Sequence, residues 1–396
     1  MSLPTDGILR RPTNDSARLD AYLPAPTVQS HAANLATLPG GDLGCVWFGG
    51  TQEGIGDIYV WFSRLSPGAD TWSAPVRLSD DPTRSEQNPI LFTTPTGDLW
   101  LLYTAQRAGN QDTAEVRRRI STDDGHTWDE PVTLVAASET GGTFVRQPIV
   151  VLASGRWILP LFHCVSVPGH KWVGDKDTSA VLLSDDAGVT WREVAVPDSV
   201  GAVHMNVQQL ADGSLLALYR SRWADFIYES RSTDDGESWS APVPTVLPNN
   251  NSSIQFVPLA GDSLALIFNN SSALDATARR LSLYDEIDDD GLAEGDEPVL
   301  VEQAPTDSDE RTAFWGAPRA PMTVAISPDG GKTWPLSRNL EVGDGYCLSN
   351  NSRDGLNREF SYPSIHRDAG GDLHLAFTYF RQAIKYVRVP ESWVRG

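Results

Sequence analysis

Eight residues in the pattern Ser-x-Asp-x-Gly-x-Thr/Ser-Trp recur four times, as STDDGHTW (121–128), SDDAGVTW (184–191), STDDGESW (232–239) and SPDGGKTW (327–334). Each copy follows a β-like run (AEVRRRI, SAVLL, FIYES, MTVAI) and precedes another short extended segment, which places it in a hairpin turn. The aspartate can accept hydrogen bonds within the turn, the glycine supplies a positive φ, and the tryptophan has a large apolar body to pack beneath neighbouring strands. The element is therefore a folding unit. A chain that repeats it is built from similar modules, and the Ser-to-Ser spacings of 63, 48 and 95 residues imply that the last interval holds two modules or one with an insertion.

A second recurring unit decides between these. An apolar strand, a Gly/Asp turn and a strongly apolar strand appear six times: NLATLPGGDLGCVWF, ILFTTPTGDLWLLYT, IVVLASGRWILPLF, VQQLADGSLLALYR, IQFVPLAGDSLALIF and SIHRDAGGDLHLAFTY. Six units predict an all-β, six-bladed β-propeller with four-stranded blades, occupying residues 1–396 as one domain. Between Asn270 and Arg319 there is no seventh unit, and the acidic run DEIDDDGLAEGDE (285–297) lies there, so residues 271–313 read as a surface insertion in blade five. Blade one carries a degenerate turn at SRLSPGADTW (63–72), with Trp72 keeping the packing role. Blade six runs out of chain after three strands, so residues 6–24 are expected to supply its outer strand and close the ring.

With 52 acidic against 31 basic residues the formal charge is −21, which disfavours nucleic acid as a partner but leaves room for a small anion held by locally gathered arginines. Cys45, Cys164 and Cys347 are odd in number and far apart, suggesting neither a disulfide framework nor a zinc site. No apolar leader and no long apolar run is visible, so a cytoplasmic location without a membrane partner is expected. No His/Cys cluster or complete calcium loop calls for a metal, and no cofactor is expected.

The segments SHAANLATLPGGDLGCVWFGGTQEG (30–54), TFVRQPIVVLASGRWILPLF (143–162) and EFSYPSIHRDAGGDLHLAFTYFRQAIKYV (359–387), with the four turns, resemble the Asp-box (BNR-repeat) sialidase, or neuraminidase, superfamily. The likeness is closer to its bacterial and plant predicted-neuraminidase group. It implies a ligand site over the propeller axis, with three arginines around a substrate carboxylate, a tyrosine nucleophile activated by a glutamate, and an aspartate as acid/base. Tyr362, in FSYPSI, matches the nucleophile, and Arg319 matches the third arginine. His31 stands where the first arginine is expected and His204 where the glutamate is expected, while the second arginine falls near Ala224 and Asp225, with Arg220 and Arg222 close by.

The residues add their own candidates. Polar groups at the starts of inner strands face the axis, where propeller ligand sites form. His31 titrates near working pH and can serve as acid or base, against the alternative of a loop-ordering histidine. Glu53 follows a Gly-Gly loop and is a second acid/base candidate, whereas Asp57 reads as a turn carboxylate. Arg146, Gln147 and Arg220 offer hydrogen bonds to an anionic sugar. Glu359, Tyr379 and Arg381 join them from blade six, and Trp47 is a candidate pocket wall. Trp128, Trp191, Trp239 and Trp334 read as core rather than sugar platforms.

The expected function is that of a carbohydrate-active enzyme of sialidase type, an exo-glycosidase removing a terminal acidic sugar from a glycan or oligosaccharide. Tyr362, His31 and Glu53 carry the chemistry in that reading. The alternatives are a lyase cleaving beside a uronic acid with His31 and Tyr362, and a glycan-binding propeller without catalysis.

Overall fold

The computed structural model describes residues 3–167, 169–283, 287–288, 291–292, 300–302, 311–350 and 354–395. Six antiparallel sheets of four main strands form six blades around one axis. The innermost strands are Gln29–Thr37, Ser85–Thr93, Gly141–Phe144 continued by Val150–Val151, Ala202–Gln209, Gln255–Pro258 and Phe360–Arg367. Behind each lies a strongly apolar second strand, such as Leu43–Gly50 and Leu264–Asn269, every residue of which is buried. These strands are sandwiched between neighbouring blades, which is why they read as continuous hydrophobic runs rather than alternating ones.

The ring closes as the sequence predicts. Leu19–Tyr22 pairs antiparallel with Ala383–Pro390, from Leu19 opposite Arg388 to Tyr22 opposite Lys385, and becomes the outer strand of blade six. Ala21 and Leu23 are buried with Cys45, Trp47, Ala376, Ile384 and Tyr386, joining the first blade to the last. Trp72, in the degenerate turn, packs in this same cluster, its ring 5.1 Å from that of Tyr386.

The four repeated turns share one hydrogen-bond set. In the first, the Gly125 amide donates to Ser121 Oγ at 2.8 Å and the Thr127 amide to Asp123 Oδ1 at 2.8 Å. Ser184/Asp186, Ser232/Asp234 and Ser327/Asp329 repeat it. Gly125 adopts φ 80°, the left-handed conformation that glycine enters without a Cβ penalty.

Residues 270–321 connect the second and third strands of blade five. The acidic run falls largely outside the described residues, but its flanks correct the expectation of a surface excursion. Leu283, Ala313 and Trp315 on its flanks, and Ile287 within it, are buried with Phe144, Phe162 and Trp172 of blade three, and Ile287 reaches Gly109 of blade two. These apolar residues anchor the insertion across the ring.

Candidate functional site

One register rule builds the site. Each inner strand ends in a hairpin closed by an amide-to-carbonyl bond: Leu38 to Asp42, Thr94 to Asp98, Leu152 to Arg156, Leu210 to Ser214, Leu259 to Ser263 and Asp368 to Asp372. The residues six positions before these amides are Ala32, Asn88, Arg146, His204, Ser253 and Tyr362. Equivalent positions in a propeller face the same axis, so these six form a ring. Four of them, Ala32, Asn88, His204 and Tyr362, have φ between 49° and 61°. Each sits in a β-bulge, where two residues oppose one; Tyr362 and Pro363 fall between the pairs Ser361–Thr378 and Ser364–Ala376. The bulge re-aims the side chain at the strand head, a common device beside functional sites.

Tyr362 is the centre of the arrangement. Its hydroxyl accepts a hydrogen bond from Arg220 Nη1 at 2.5 Å. The guanidinium carbons of Arg146, Arg220 and Arg319 lie 5.5, 5.5 and 5.6 Å from its ring centroid. His31 and His204 flank it, with ring centroids at 4.3 and 5.6 Å. Arg146 Nη2 also donates to the carbonyls of Ala33 and Tyr362 at 3.0 Å and of Pro363 at 3.2 Å, fixing the bulge that carries the tyrosine.

Behind this ring stands a buried ion network. Glu359 accepts from Arg319 Nη1 at 2.9 Å and from Arg381 Nε at 2.6 Å, and Arg381 Nη1 reaches Glu53 at 2.5 Å. Burial alone would push the Glu359 carboxyl up, but the two guanidiniums outweigh it and hold it below the usual carboxylate value. Among the four arginines Arg146, Arg220, Arg319 and Arg381 and the two carboxylates Glu53 and Glu359, two positive charges are unbalanced. Burial lowers Arg146 to about 10 and Arg220 to about 9, the mark of cations short of an anionic partner.

Both histidines are held well below their ordinary value, chiefly by burial and then by the surrounding arginines. They are therefore neutral near pH 7. His31 Nδ1 lies 2.8 Å from Thr378 Oγ1 and 3.9 Å from Glu359, leaving Nε2 without a protein partner among the described residues. Arg146 Nη1 and Arg220 Nη2 are likewise buried and unpartnered, as are Asn88 Oδ1 and Ser253 Oγ on the ring.

The structure thus brings together His31, Arg146, His204, Arg220, Arg319 and Tyr362, with Glu53, Glu359 and Arg381 adjoining through ion pairs. It sets three sequence candidates apart. Gln147 lies one step further along its strand; it donates to the Ile254 carbonyl at 2.7 Å and accepts from Gln255 at 3.1 Å, tying inner strands across the axis. Tyr379 packs against Tyr22, Phe360 and Phe380 at the edge of blade six. Trp47 lies in the core between blades one and six, while its neighbour Phe48 faces His31 at 5.2 Å. Asn88 and Ser253 are additions that the sequence reading missed; counting back from each hairpin turn would have found them.

A wall comes from the blade-five insertion. Trp315 lies 5.7 Å from Arg220 and 5.1 Å from Arg222, whose guanidinium is paired with buried Asp177. The Phe314 carbonyl accepts from Asn251, which in turn accepts from Arg220 Nε at 2.7 Å. Among the described residues no His/Cys/Asp/Glu group is arranged to hold a metal.

Residues 41–375 match the model of the BNR repeat-like domain. The chain belongs to this family. Its fold is shared with a Hadza microbial sialidase (TM-score 0.65, 15% identity, 93% of this chain and 67% of that one). The intramolecular trans-sialidase from Ruminococcus gnavus, solved with oseltamivir carboxylate, gives a TM-score of 0.64 at 14% identity over 95% of this chain and 97% of that one. A protein of unknown function from Dyadobacter fermentans gives 0.64 at 15% identity, covering 98% of both chains. No curated protein matches it in sequence. The chain's structural neighbours thus include sialidases, and at these identities the likeness is one of fold.

Proposed function

We propose that this BNR repeat-like protein is a glycoside hydrolase that removes a terminal sugar bearing an anionic group. The observation that carries the reading is the setting of Tyr362, whose hydroxyl is buried on the axis beside arginines with unspent donors. Arg146 Nη1 and Arg220 Nη2 offer the two hydrogen bonds that a carboxylate would accept, and the two unbalanced charges favour an anion over a neutral sugar. Tyr362, held by Arg220, is the nucleophile toward the anomeric carbon. Sialidase neighbours support a glycan as the partner. Glu53 spends an oxygen on Arg381, which favours an orienting role for it and leaves His31 Nε2 as the group free to meet the leaving oxygen or water.

The test is a panel of aryl and oligosaccharide glycosides of terminal sialic, uronic and neutral sugars, read for released aglycone and reducing ends. Turnover confined to the acidic sugars is the expected result; turnover of neutral sugars alone would overturn the assignment, and binding without turnover would identify a glycan-binding propeller.

One observation favours a second reading. Among the described residues the group hydrogen-bonded to the Tyr362 hydroxyl is the Arg220 guanidinium rather than a carboxylate, and two neutral imidazoles flank the ring. A tyrosine and a histidine beside arginines also suit proton abstraction next to a neutralised uronate carboxylate. An unsaturated product absorbing in the ultraviolet would mark this lyase chemistry.

A further inference from the structure

Five buried arginines stand in or beside the site, and they are held in two different ways. Arg222 pairs with Asp177 at 2.6 Å, Arg319 with Glu359 at 2.9 Å and Arg381 with Glu359 at 2.6 Å. Among the described residues Arg146 and Arg220 meet only uncharged acceptors. Arg146 donates Nη2 to three backbone carbonyls. Arg220 donates Nε to Asn251 Oδ1 at 2.7 Å and Nη1 to the Tyr362 hydroxyl at 2.5 Å, with neutral His204 Nε2 3.3 Å from the same nitrogen. The contrast is sharpest between Arg220 and Arg222, which are two residues apart in sequence and both face Trp315.

The fold builds Asn251 into its place. Its φ of 56° lies in the left-handed region, which asparagine and aspartate enter more readily than most residues. Its amide donates to Asn249 Oδ1 at 3.0 Å, and the same oxygen accepts from the Ser221 amide at 3.0 Å, tying this turn to the end of the strand that carries Arg220. The Asn251 side chain has one possible orientation, because Arg220 Nε can only donate and the Phe314 carbonyl, 2.9 Å from Asn251 Nδ2, can only accept. Phe314 is fixed in turn, its amide donating to the Arg222 carbonyl at 2.7 Å. An aspartate here would meet Arg220 but set an oxygen against the Phe314 carbonyl, and its charge would neutralise the guanidinium.

We propose that Asn251 is a positioning residue that fixes Arg220 without neutralising it, so that the guanidinium keeps its charge and its Nη2 donor for the anionic group of the sugar. The inference rests on the anionic-sugar reading above and names the residue on which its charge selectivity depends. Arg220 Nη2 is buried without a protein partner among the described residues. A buried cation with no counter-ion is costly, and a bound carboxylate removes that cost where an uncharged sugar leaves it in place. Selectivity is the difference between the two. The blade-five insertion takes part through Phe314, whose carbonyl holds the amide that holds the arginine.

The experiment titrates wild type, Asn251→Asp and Asn251→Gly by calorimetry with free N-acetylneuraminic, glucuronic and galacturonic acids and with the methyl ester of each. Wild type should bind one of the acids about tenfold or more tightly than its ester. Aspartate keeps an acceptor for Nε and tolerates the positive φ, but it neutralises Arg220. The Kd for that acid should rise by about tenfold or more, while the Kd for the ester moves by less than about threefold. Glycine also tolerates the φ; it removes the acceptor and leaves the charge, so both ligands should weaken together and the preference for the acid should stay within about threefold of wild type. A folded Asn251→Asp protein with the wild-type preference would overturn the proposal. So would loss of the preference in folded Asn251→Gly, which decides the matter if the aspartate variant does not fold. A wild type that binds every acid no better than its ester is a different outcome: it overturns the anionic-sugar reading, and the role of Asn251 falls with it.

Discussion

Arg220 donates to Tyr362 across the propeller axis, from the second strand of blade four to the inner-strand bulge of blade six, at 2.5 Å. The two residues are 142 positions apart in sequence. The pairing exists because the inner-strand heads converge on one axis and Arg220, opposite Val203 at the end of the second strand, stands beside the head of blade four; it gives the site its reactive oxygen and its nearest cation together.

Tyr362→Phe removes that oxygen and little else. The ring would keep its contacts with His31 and the three arginines, so the melting temperature should move by no more than a few degrees. Turnover should fall by about three orders of magnitude or more, because a covalent step loses its nucleophile. Kinetics on the substrate from the glycoside panel, alongside a thermal melt, checks both halves. Retained turnover would remove Tyr362 from the chemistry.

Glu359→Gln tests the ion network behind the site. Glu359 is fully buried between Arg319 and Arg381, and the neutral amide leaves both guanidiniums with one less anion. Breaking a buried pair in this way costs about 3–5 kcal/mol. The midpoint of urea unfolding should drop accordingly, with an unchanged slope. An unaltered midpoint would show that the network relaxes to solvent.

The blades were legible in the sequence because their signals are local. A turn of eight residues makes its own hydrogen bonds, and an apolar strand–turn–strand unit announces a blade without knowledge of its neighbours. The site was only partly legible. Tyr362 and His31 were found from their place at strand starts, yet Asn88 and Ser253 hold the register position of Tyr362 and were passed over, because register is anchored at the hairpin rather than at the strand head. Trp47 was misplaced for a related reason: the bulge sets both Ala32 and Ala33 opposite it, so simple alternation fails there. The reach of Arg381 to Glu53 spans 328 residues and depends on ring closure. The insertion looked like a solvated loop because its charges are contiguous and its anchors, Leu283 and Trp315, lie outside the acidic run.

Acid should destabilise the protein through its buried histidines. His366, four residues after Tyr362 on the inner strand of blade six, lies 2.8 Å from Thr37 Oγ1, and burial, aided by His374, pushes its pKa from 6.5 to about 4. The folded pKa is below the unfolded one, so between these values the unfolded chain binds the proton and the folded chain does not. Stability is complete above the unfolded value and is lost as pH falls toward about 4, at about 1.4 kcal/mol per unit. His31 and His204 are shifted in the same direction and steepen the loss. Urea unfolding across this window should show a shallower slope for His366→Gln than for wild type. Identical slopes would mean that His366 is protonated at no cost in the folded state.

Ring closure supplies the last test. Residues 19–22 provide four backbone positions of ladder to Ala383–Pro390, and Ala21 and Leu23 fill the joint between blades one and six. Asp20 adds a charge contact, with Oδ2 at 3.2 Å from Lys385 Nζ, and Arg18 pairs with Glu341 of blade five. Removing residues 1–24 would strip one strand from blade six, uncover an edge of unpaired amides and carbonyls, and open the apolar joint. The burial of Leu23 alone is worth about 1.5–3 kcal/mol, and each ladder bond adds about 0.5–1.5 kcal/mol. The truncated protein should therefore melt well below the full chain and elute partly as aggregate. A synthetic peptide of residues 3–24 added in trans should raise the melting temperature in a concentration-dependent way, since it can re-form the missing strand. A truncated chain that melts with the full-length protein, indifferent to the peptide, would show that the ring is held by its other five blades and that the N-terminal strand is dispensable.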